Sequence, residues 1–326
     1  MYRLPVLTDI QNELMDKLKF LSSGITNTST QYKQLAKKHW DSIAKPLDSL
    51  GEFERIFQKL SAISESEIPV IDKKCITVMC SDNGVVEEDI SQSGKEVTLA
   101  VAKSMVLGTS SISVLCRSCA SDLMVIDMGI DSFDTDIYSM GVINHKLMHG
   151  TNNFIKEKAM PIDISLRAIL YGIEIVENLK NKGINIIGTG EMGIGNTTTS
   201  SALSSALLNL PVTNVTGRGA GLNDIRLQRK IDIIEVGINK YGFRDKTFID
   251  YINSEIVDTR VLTTIDLLSS IGGLDIAALT GIFIGGAIYK IPVVIDGVIS
   301  EVAALLAYFL NPLCKEYMIA SHLSRE

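Results

Sequence analysis

The sequence predicts an α/β protein whose core is a parallel sheet covered by helices on both faces. Two observations carry this prediction. Four short runs of continuously apolar, largely β-branched residues each end in a polar or glycine-rich loop, and segments with helical periodicity lie between them. Strands that are buried on both faces read as uninterrupted apolar runs, and an alternation of strands and helices is typical of a parallel sheet.

The predicted strands are residues 75–80, 123–127, 184–187 and 291–295. The predicted helices between and after them are residues 111–118, 165–182, 197–208, 225–237 and a buried one at 276–289. In sheets of this kind, ligands bind beyond the carboxyl ends of the strands, which is where the polar loops of this chain fall. We therefore expect the functional site at that edge of the sheet.

The first part of the chain has a different character, because residues 1–66 are polar and helical, with a clear helix at 52–63 after a turn-rich segment at 45–51. The sequence is interpreted as an N-terminal helical part at 1–66, a large α/β domain at 67–310 and a C-terminal segment at 311–326.

Composition excludes several classes of protein. The 326 residues are 46% hydrophobic and 21% charged, which suits a globular core and not a disordered chain. A net charge of −7 without clustered Lys or Arg argues against a nucleic-acid partner. The apolar stretch 276–289 is too short to span a bilayer, so no membrane partner is expected. Five scattered cysteines imply no disulfide framework, and a cytoplasmic location is expected.

The most informative segment is GTGEMGIGNTTT at residues 188–199, between a predicted strand and a predicted helix. Gly193 and Gly195 permit close approach of the backbone to a ligand, and the helix start offers N–H groups and a positive dipole end. Asn196 and Thr197 are favourable N-cap residues. The pattern favours a bound phosphate, and a tight turn that binds nothing is the alternative.

Gly188, Gly190 and Gly193 also satisfy the GxGxxG spacing of a dinucleotide site. That interpretation needs an acidic residue about 20 residues further on to hold the ribose, and residues 208–219 contain none. Glu191 would also lie awkwardly close to a pyrophosphate. An NAD-linked oxidoreductase is therefore the weaker interpretation.

A second glycine-rich loop, at residues 217–221, contains Gly217, Arg218, Gly219 and Gly221. Three glycines with an arginine suit an anionic ligand, although the signal is weak by itself. If both loops follow strands of one sheet, we expect them to converge on one nucleotide.

No metal site is predicted. Cys116 and Cys119 form a single CxxC without a second ligand pair at a suitable spacing. His145 and His149 are four residues apart with no acidic residue between them. Two buried thiols on a helix and two loop histidines are the simpler interpretation.

Several segments occur together in a familiar order. KPLDSLG at 45–51 resembles KPPGSLG, SDNGVV at 81–86 resembles ADHGV, and GRGAG at 217–221 is similar to GRGTG. GEMGIGNTT at 190–198 matches a signature of one known family. GGLDIA at 272–277 and DG at 296–297 look like the GGxxIA and DGF segments of the same family. Together they resemble the nicotinate-nucleotide–dimethylbenzimidazole phosphoribosyltransferase family, which builds the lower-ligand nucleotide of cobamides.

The resemblance implies a Rossmann-like large domain, a small domain from both chain ends, and a homodimer. It also implies the transfer of phosphoribose from nicotinate mononucleotide to a benzimidazole, purine or phenol base. The products are nicotinate and an α-ribosyl 5′-phosphate, with inversion at the anomeric carbon. No metal and no redox cofactor is implied.

Such a transfer passes through an oxocarbenium-like state, so the site is expected to hold the phosphate, orient the base and place negative charge near the sugar. On this hypothesis Glu191 lies beside the sugar and Lys230 holds the anionic end of the substrate, a solvated helix lysine being the alternative. The loops at 193–198 and 217–221 hold the phosphate. Asp82, Ser91 and Lys95 contact the incoming base.

The sequence departs from the family in two places. Family members carry a glutamate in an RLGEGSGA-like C-terminal segment, which is the expected general base. This sequence stops before that segment, and Glu326 does not match it. We expect one of two explanations. Either the sequence is shortened, or the chain is a catalytically silent or partner-dependent subunit that works beside a paralogue.

The second departure is SQSGKEVT at 91–98, which resembles SxxPQEVT but has Lys95 where glutamine is usual. A lysine there favours a phenolate or another hydrogen-bond acceptor over benzimidazole. The hypothesis is that the chain is one subunit of a heterodimeric, phenol-accepting enzyme.

Overall fold

The computed structural model describes residues 1–324, and Arg325 and Glu326, the end of the predicted C-terminal segment, lie outside the described residues. Its sheet has the order β3-β2-β1-β4-β5-β6, and all neighbouring strands are parallel. The strands are β1 (Lys74–Ser81), β2 (Ser121–Gly129), β3 (Ile143–Asn144), β4 (Ile186–Met192), β5 (Val293–Ile295) and β6 (Met318–Ala320). The predicted α/β class is confirmed.

The four predicted strands are present, but their limits differ. The strand predicted at 184–187 is displaced, because β4 begins at Ile186 and continues to Met192 in register with β1 up to Cys80. The segment 188–192 is therefore strand and not loop. Strands β3 and β6 were not predicted, since two and three residues are too few to show an apolar period.

Helices account for most of the remaining described chain. They are α1 (Asp9–Ser23), α2 (Thr30–Ser42), α3 (Glu52–Ser64), α4 (Glu96–Val106), α5 (Ser111–Ser118), α6 (Asp136–Ser139), α7 (Ile162–Asn181), α8 (Asn196–Leu207), α9 (Val212–Val215), α10 (Asp224–Lys240), α11 (Lys246–Ile252), α12 (Val257–Ile271), α13 (Leu274–Tyr289) and α14 (Val298–Leu310). Two 3₁₀ segments, Gly84–Glu88 and Pro312–Tyr317, complete the set in residues 1–324.

The centre of the core is the pair of helices α7 and α13. Helix α13 is buried along almost its whole length, as predicted for this apolar segment. The two backbones approach closely at two glycines, since a Cβ on Gly172 would lie 2.1 Å from the Ala278 carbonyl oxygen and a Cβ on Gly281 2.0 Å from that of Ile169. Any larger residue at either position would push the helices apart.

Helices α1 and α3 contribute residues to this core, and α2 packs on α3. Tyr2, Met15 and Leu18 are buried in the same hydrophobic cluster as α7 and α13. The division at residues 66 and 310 stays a prediction.

The order in which strands are added to the sheet reverses between β1 and β4. From β1 the next strands extend towards β3, whereas from β4 they extend towards β6 on the other side. In open parallel sheets, such a switch point leaves a crevice at the carboxyl ends of the two central strands. Here those ends are Ser81 and Met192, so the sheet places the loops that follow them side by side.

Within residues 1–324, the segment 96–118 is apolar enough to cross a membrane by length and composition alone, with a mean hydropathy of 1.6. It is folded as α4 and α5, which are separated by a turn with Gly108 at φ 76°. A single segment of this kind is weak support for a membrane span.

Candidate active site

Glu191 is the penultimate residue of β4, and its partly buried side chain lies at the carboxyl end of the sheet. The prediction that it lies within a loop is wrong, because strand pairing with Met79 holds its backbone. Asn196 Nδ2 donates hydrogen bonds to Glu191 Oε2 and, over 2.9 Å, to Asp275 Oδ2. The first residue of α8 thus connects two carboxyl groups.

The turn into α8 depends on two glycines. Gly195 is the N-cap at φ 94°, a left-handed conformation that favours glycine. A Cβ on Gly193 would lie 2.2 Å from the Ser81 carbonyl oxygen. The prediction of Asn196 or Thr197 as N-cap is wrong, since both lie inside the helix, and the Asn196 side chain bonds carboxyl groups instead of backbone N–H groups.

The two glycine-rich loops meet at Lys230 of α10. This lysine is 0% exposed, and its Nζ donates to Thr197 Oγ1 at 3.0 Å and to the Gly217 carbonyl oxygen at 3.1 Å. A Cβ on Gly219 would lie 3.0 Å from Thr197 Oγ1, so the second loop passes directly beside the start of α8. The alternative of a solvated helix lysine is therefore wrong.

The prediction that the second loop follows a strand is wrong, because the loop follows the short helix α9. The preceding apolar residues are too few and too near Pro211 to extend the sheet. Arg218 lies on this loop, donates to the Leu222 carbonyl oxygen at 2.8 Å and pairs with Asp224 at 2.5 Å. The Gly221 carbonyl oxygen accepts from Gln92 Nε2 at 2.5 Å, which ties the loop to residues 91–98.

Asp82 follows β1 and is fully buried. Thr98 Oγ1 donates to its Oδ1 at 2.6 Å, and the Asp131 backbone N–H donates to its Oδ2 at 2.8 Å. Burial raises the pKa of Asp82, and these two hydrogen bonds oppose that effect. Thr98 Oγ1 also accepts from the Ile194 N–H at 3.2 Å, so one hydroxyl joins the Asp82 loop to the first glycine-rich loop.

Lys95 lies on the same side but nearer to solvent. Its Nζ is 3.1 Å from Asp131 Oδ2, and the side chains of Lys95 and Asp131 are 30% and 31% exposed. Ser91 Oγ accepts from the Ser93 N–H at 3.2 Å within the same loop. The structure thus brings Asp82 and Lys95 to one region through Asp131, and ties Ser91 to it along the chain.

Three polar residues of this region were not among the predicted site residues: Asn83, Asp131 and Asp275. Asp275 and Asn83 lie in GGLDIA and SDNGVV, two of the motifs that carry the family resemblance, so their position in the sequence was a usable signal. Asp131 follows β2 and had no motif to indicate it.

The Glu191 and Asp275 carboxyls have unusual protonation behaviour. Burial first, and then the charge of Asp275, raises the pKa of Glu191 to about 8, while the Asn196 hydrogen bond acts in the opposite direction. Burial raises the pKa of Asp275 to about 6, again against the Asn196 hydrogen bond. A carboxyl that titrates near neutral pH in a crevice is a mark of a functional site.

The two histidines of the predicted loop are held by aromatic contacts. The ring of His145 lies 4.8 Å from that of Tyr171, and the ring of His149 lies 4.5 Å from that of Phe133. In the part of the chain that the structure describes, no group of three or more His, Cys, Asp or Glu side chains is arranged to hold a metal ion.

Known proteins share both the sequence and this architecture. A family model described as DBI_PRT, a phosphoribosyltransferase, matches residues 25–326. The nicotinate-nucleotide–dimethylbenzimidazole phosphoribosyltransferase of Clostridium acetobutylicum is 42% identical over 308 residues, covering 94% of this chain and 82% of the relative. The enzyme of the same name from Clostridium perfringens (strain ATCC 13124) is 45% identical over 303 residues, covering 93% of this chain and 79% of the relative.

A solved structure agrees in fold as well. The crystal structure of CobT from Thermus thermophilus superposes with a TM-score of 0.81 at 28% identity, covering 91% of this chain and 83% of that chain. The strand order alone is shared with many dinucleotide-binding proteins, so it does not distinguish a phosphoribosyltransferase from an NAD-linked oxidoreductase. The family match over most of the sequence does, and the chain belongs to the phosphoribosyltransferase family that includes the nicotinate-nucleotide–dimethylbenzimidazole phosphoribosyltransferases.

Proposed function

We propose that this chain transfers phosphoribose from nicotinate mononucleotide to a lower-ligand base of cobamide biosynthesis, giving nicotinate and an α-ribosyl 5′-phosphate. The observation that carries the proposal is the meeting of two glycine-rich loops at the buried Lys230, next to Glu191 at the switch point of the sheet. Relatives at more than 40% identity bear the name of this activity.

In this proposal the phosphate lies at the start of α8. Gly193, Gly195 and Gly219 shape the loops around it, because each lets the backbone pass close to other parts of the protein where a side chain would clash. The buried Lys230 supplies the positive charge, and its two oxygen partners hold the ammonium in place. Arg218, which is 52% exposed, closes the second loop by its bond to Leu222.

Glu191 lies beside the sugar. As the bond to nicotinate breaks, positive charge develops on the ribosyl ring, and an ionised carboxylate in a site of low dielectric stabilises it. Because the pKa of Glu191 is raised to about 8, small changes in its surroundings alter the fraction of Glu191 that is ionised near neutral pH.

The incoming base lies over Asp82, Ser91 and Lys95. Asp82 is rigidly held by Thr98 and Asp131, whereas Lys95 is partly exposed and adjustable. The Lys95 ammonium favours an acceptor that carries negative charge, such as a phenolate, but its pairing with Asp131 moderates that preference. A phenol-accepting enzyme is thus part of the proposal.

The proposal extends to the arrangement of the chain. The 1–66 part and the 311–326 segment form a small domain against the large domain at 67–310, and the protein acts in the cytoplasm. It works as a homodimer or as a heterodimer with a paralogue, and the heterodimer accounts for a chain that depends on its partner for activity. No nucleic acid, no membrane and no cofactor takes part.

Nicotinate release, measured by chromatography, tests this function. The purified chain is incubated with nicotinate mononucleotide and, in separate reactions, dimethylbenzimidazole, adenine or a simple phenol, with a reaction lacking any base as the control. Release that depends on one base supports the transferase. No release by the chain alone, followed by release after addition of a paralogue, supports the heterodimer, and tight binding of NAD without release would contradict the proposal.

A further inference from the structure

One amide group connects a carboxyl at the crevice to a carboxyl inside the protein. Asn196 Nδ2 donates to Glu191 Oε2 and, at 2.9 Å, to Asp275 Oδ2. Asp275 is 0% exposed at the start of α13, whereas Glu191 is partly exposed. A ligand in the crevice therefore contacts Glu191 but not Asp275, and Asn196 is the link between them.

The surroundings of this pair are acidic. The titratable groups that face it are Cys80 of β1, Asp82 after β1 and Asp296 after β5. The Lys95 ammonium, whose charge acts on Asp82, is already engaged, since its Nζ lies 3.1 Å from Asp131 Oδ2. Two buried carboxylates in such surroundings repel each other and do not both ionise readily.

A second, independent feature points to a proton on the pair. Asn83 Oδ1 is a buried acceptor without a hydrogen-bond partner among the described residues, while Asn83 Nδ2 donates to the Ile194 carbonyl oxygen at 3.4 Å. A Cβ on Gly273 would lie 2.8 Å from this Asn83 oxygen and 2.4 Å from Asp275 Oδ1, so both oxygens border one small space. When a proton shared by the two carboxyls lies on Asp275, it offers the donor that the Asn83 oxygen lacks.

We propose that Asp275 is a positioning residue of this phosphoribosyltransferase: acting through Asn196, it fixes the Glu191 carboxyl and makes the two carboxyls hold one proton between them at neutral pH. The inference rests on the proposed place of Glu191 beside the sugar. Asp275 itself touches neither substrate nor product. Its effect is on the orientation of Glu191 and on the pH at which Glu191 becomes ionised.

The pH dependence follows from the signs of the interactions. Ionised Glu191 is the form that stabilises positive charge on the sugar, so kcat/KM rises with pH as Glu191 loses its proton, and the pKa of Glu191 is raised to about 8. The Asp275 charge raises this pKa, and the Asn196 hydrogen bond lowers it. Removing the Asp275 charge therefore moves the rising limb of the pH profile to lower pH. Removing the Asn196 hydrogen bond moves it to higher pH.

The first test compares Asp275→Asn with Asn196→Ala in pH profiles of nicotinate release. In Asp275→Asn the rising limb of kcat/KM moves to lower pH, by about one unit. In Asn196→Ala it moves to higher pH, and kcat falls more than KM rises because Glu191 is no longer oriented. Damage to the fold alone does not give opposite shifts, and two unshifted limbs would overturn the proposal.

Asp266→Asn is the matched control, because Asp266 is also a buried carboxyl but pairs with Lys158 away from the crevice. This variant lowers the melting temperature without moving the limb. If Asp275→Asn does not fold, 13C NMR of labelled glutamate in the unsubstituted protein, assigned with Glu191→Gln, reads the Glu191 titration directly. A midpoint in the ordinary range of glutamate would refute the shared proton even if the protein shows no transferase activity.

Discussion

The two sides of the crevice are built in different ways. On the proposed phosphate side, glycines bring two loops into contact, and Lys230, which bonds to both, is 0% exposed. On the proposed base side, Lys95 and Asp131 form an ion pair whose side chains are 30% and 31% exposed. A buried cation with fixed oxygen partners is rigid, whereas a partly solvated ion pair is adjustable.

This difference has a functional meaning. Apart from the inverted anomeric carbon, the phosphoribosyl group is common to substrate and product, so a rigid site suits it. The acceptor base is the part that differs among possible substrates, and adjustable groups suit it. We therefore expect changes on the phosphate side to affect all acceptors equally, and changes on the base side to affect the choice among them.

The strongest expected effect is that of Lys230→Met. Methionine preserves much of the side-chain volume in the buried position but removes the charge that we propose holds the phosphate. We expect kcat/KM for nicotinate mononucleotide to fall by about 100-fold or more, as when a preorganised electrostatic donor is lost. The fall is measured by nicotinate release and is expected to be the same with every acceptor base.

Lys240→Met is the matched control for this prediction. Lys240 lies on the same helix, is exposed, and its Nζ donates to the carbonyl oxygens of Ile155 and Lys156, away from both glycine-rich loops. Its substitution leaves kcat/KM close to the unsubstituted value. Equal losses in the two variants would mean that α10, and not the Lys230 ammonium, is what the site needs.

A smaller effect on the same side is expected for Thr197→Val. Valine has nearly the same shape as threonine but removes the oxygen that accepts from Lys230 at 3.0 Å. A lost hydrogen bond of about 1 kcal/mol corresponds to a rise in KM for nicotinate mononucleotide of about 5-fold. Thr213→Val, in the exposed helix α9, is the control, and the idea fails if the two variants have the same KM.

The fold followed from the sequence where an element was long enough to show a pattern. Strands β1 and β2 and the buried helix α13 each contain an apolar run, which is typical of elements in a sheet protein covered on both faces. Strand β6 has three residues and gains its place only by pairing with β5, a contact that is remote in sequence. No local pattern encodes such a strand.

The candidate site was predictable in part. Glycine-rich loops can be recognised in a sequence, because a left-handed turn at Gly195 and a close approach at Gly193 need that residue type. The burial of Lys230 was not readable, since a lysine on a helix with this spacing is usually solvated. The Lys95–Asp131 pair joins the start of α4 to the loop after β2, and only the folded chain brings them together.

The smallest expected effect, and the sharpest test of the difference between the two sides, is that of Lys95→Gln. Because the ion pair is partly exposed, its contribution is below about 1 kcal/mol. We expect the ratio of kcat/KM for a phenol to that for dimethylbenzimidazole to fall by about 2- to 5-fold, while KM for nicotinate mononucleotide is unchanged. Lys103→Gln is the matched control, since Lys103 lies on the same helix in a pair with Asp134 of similar exposure, 33% and 30%. A change in KM for nicotinate mononucleotide without a change in base preference would place Lys95 on the phosphate side and remove the distinction between the two halves of the crevice.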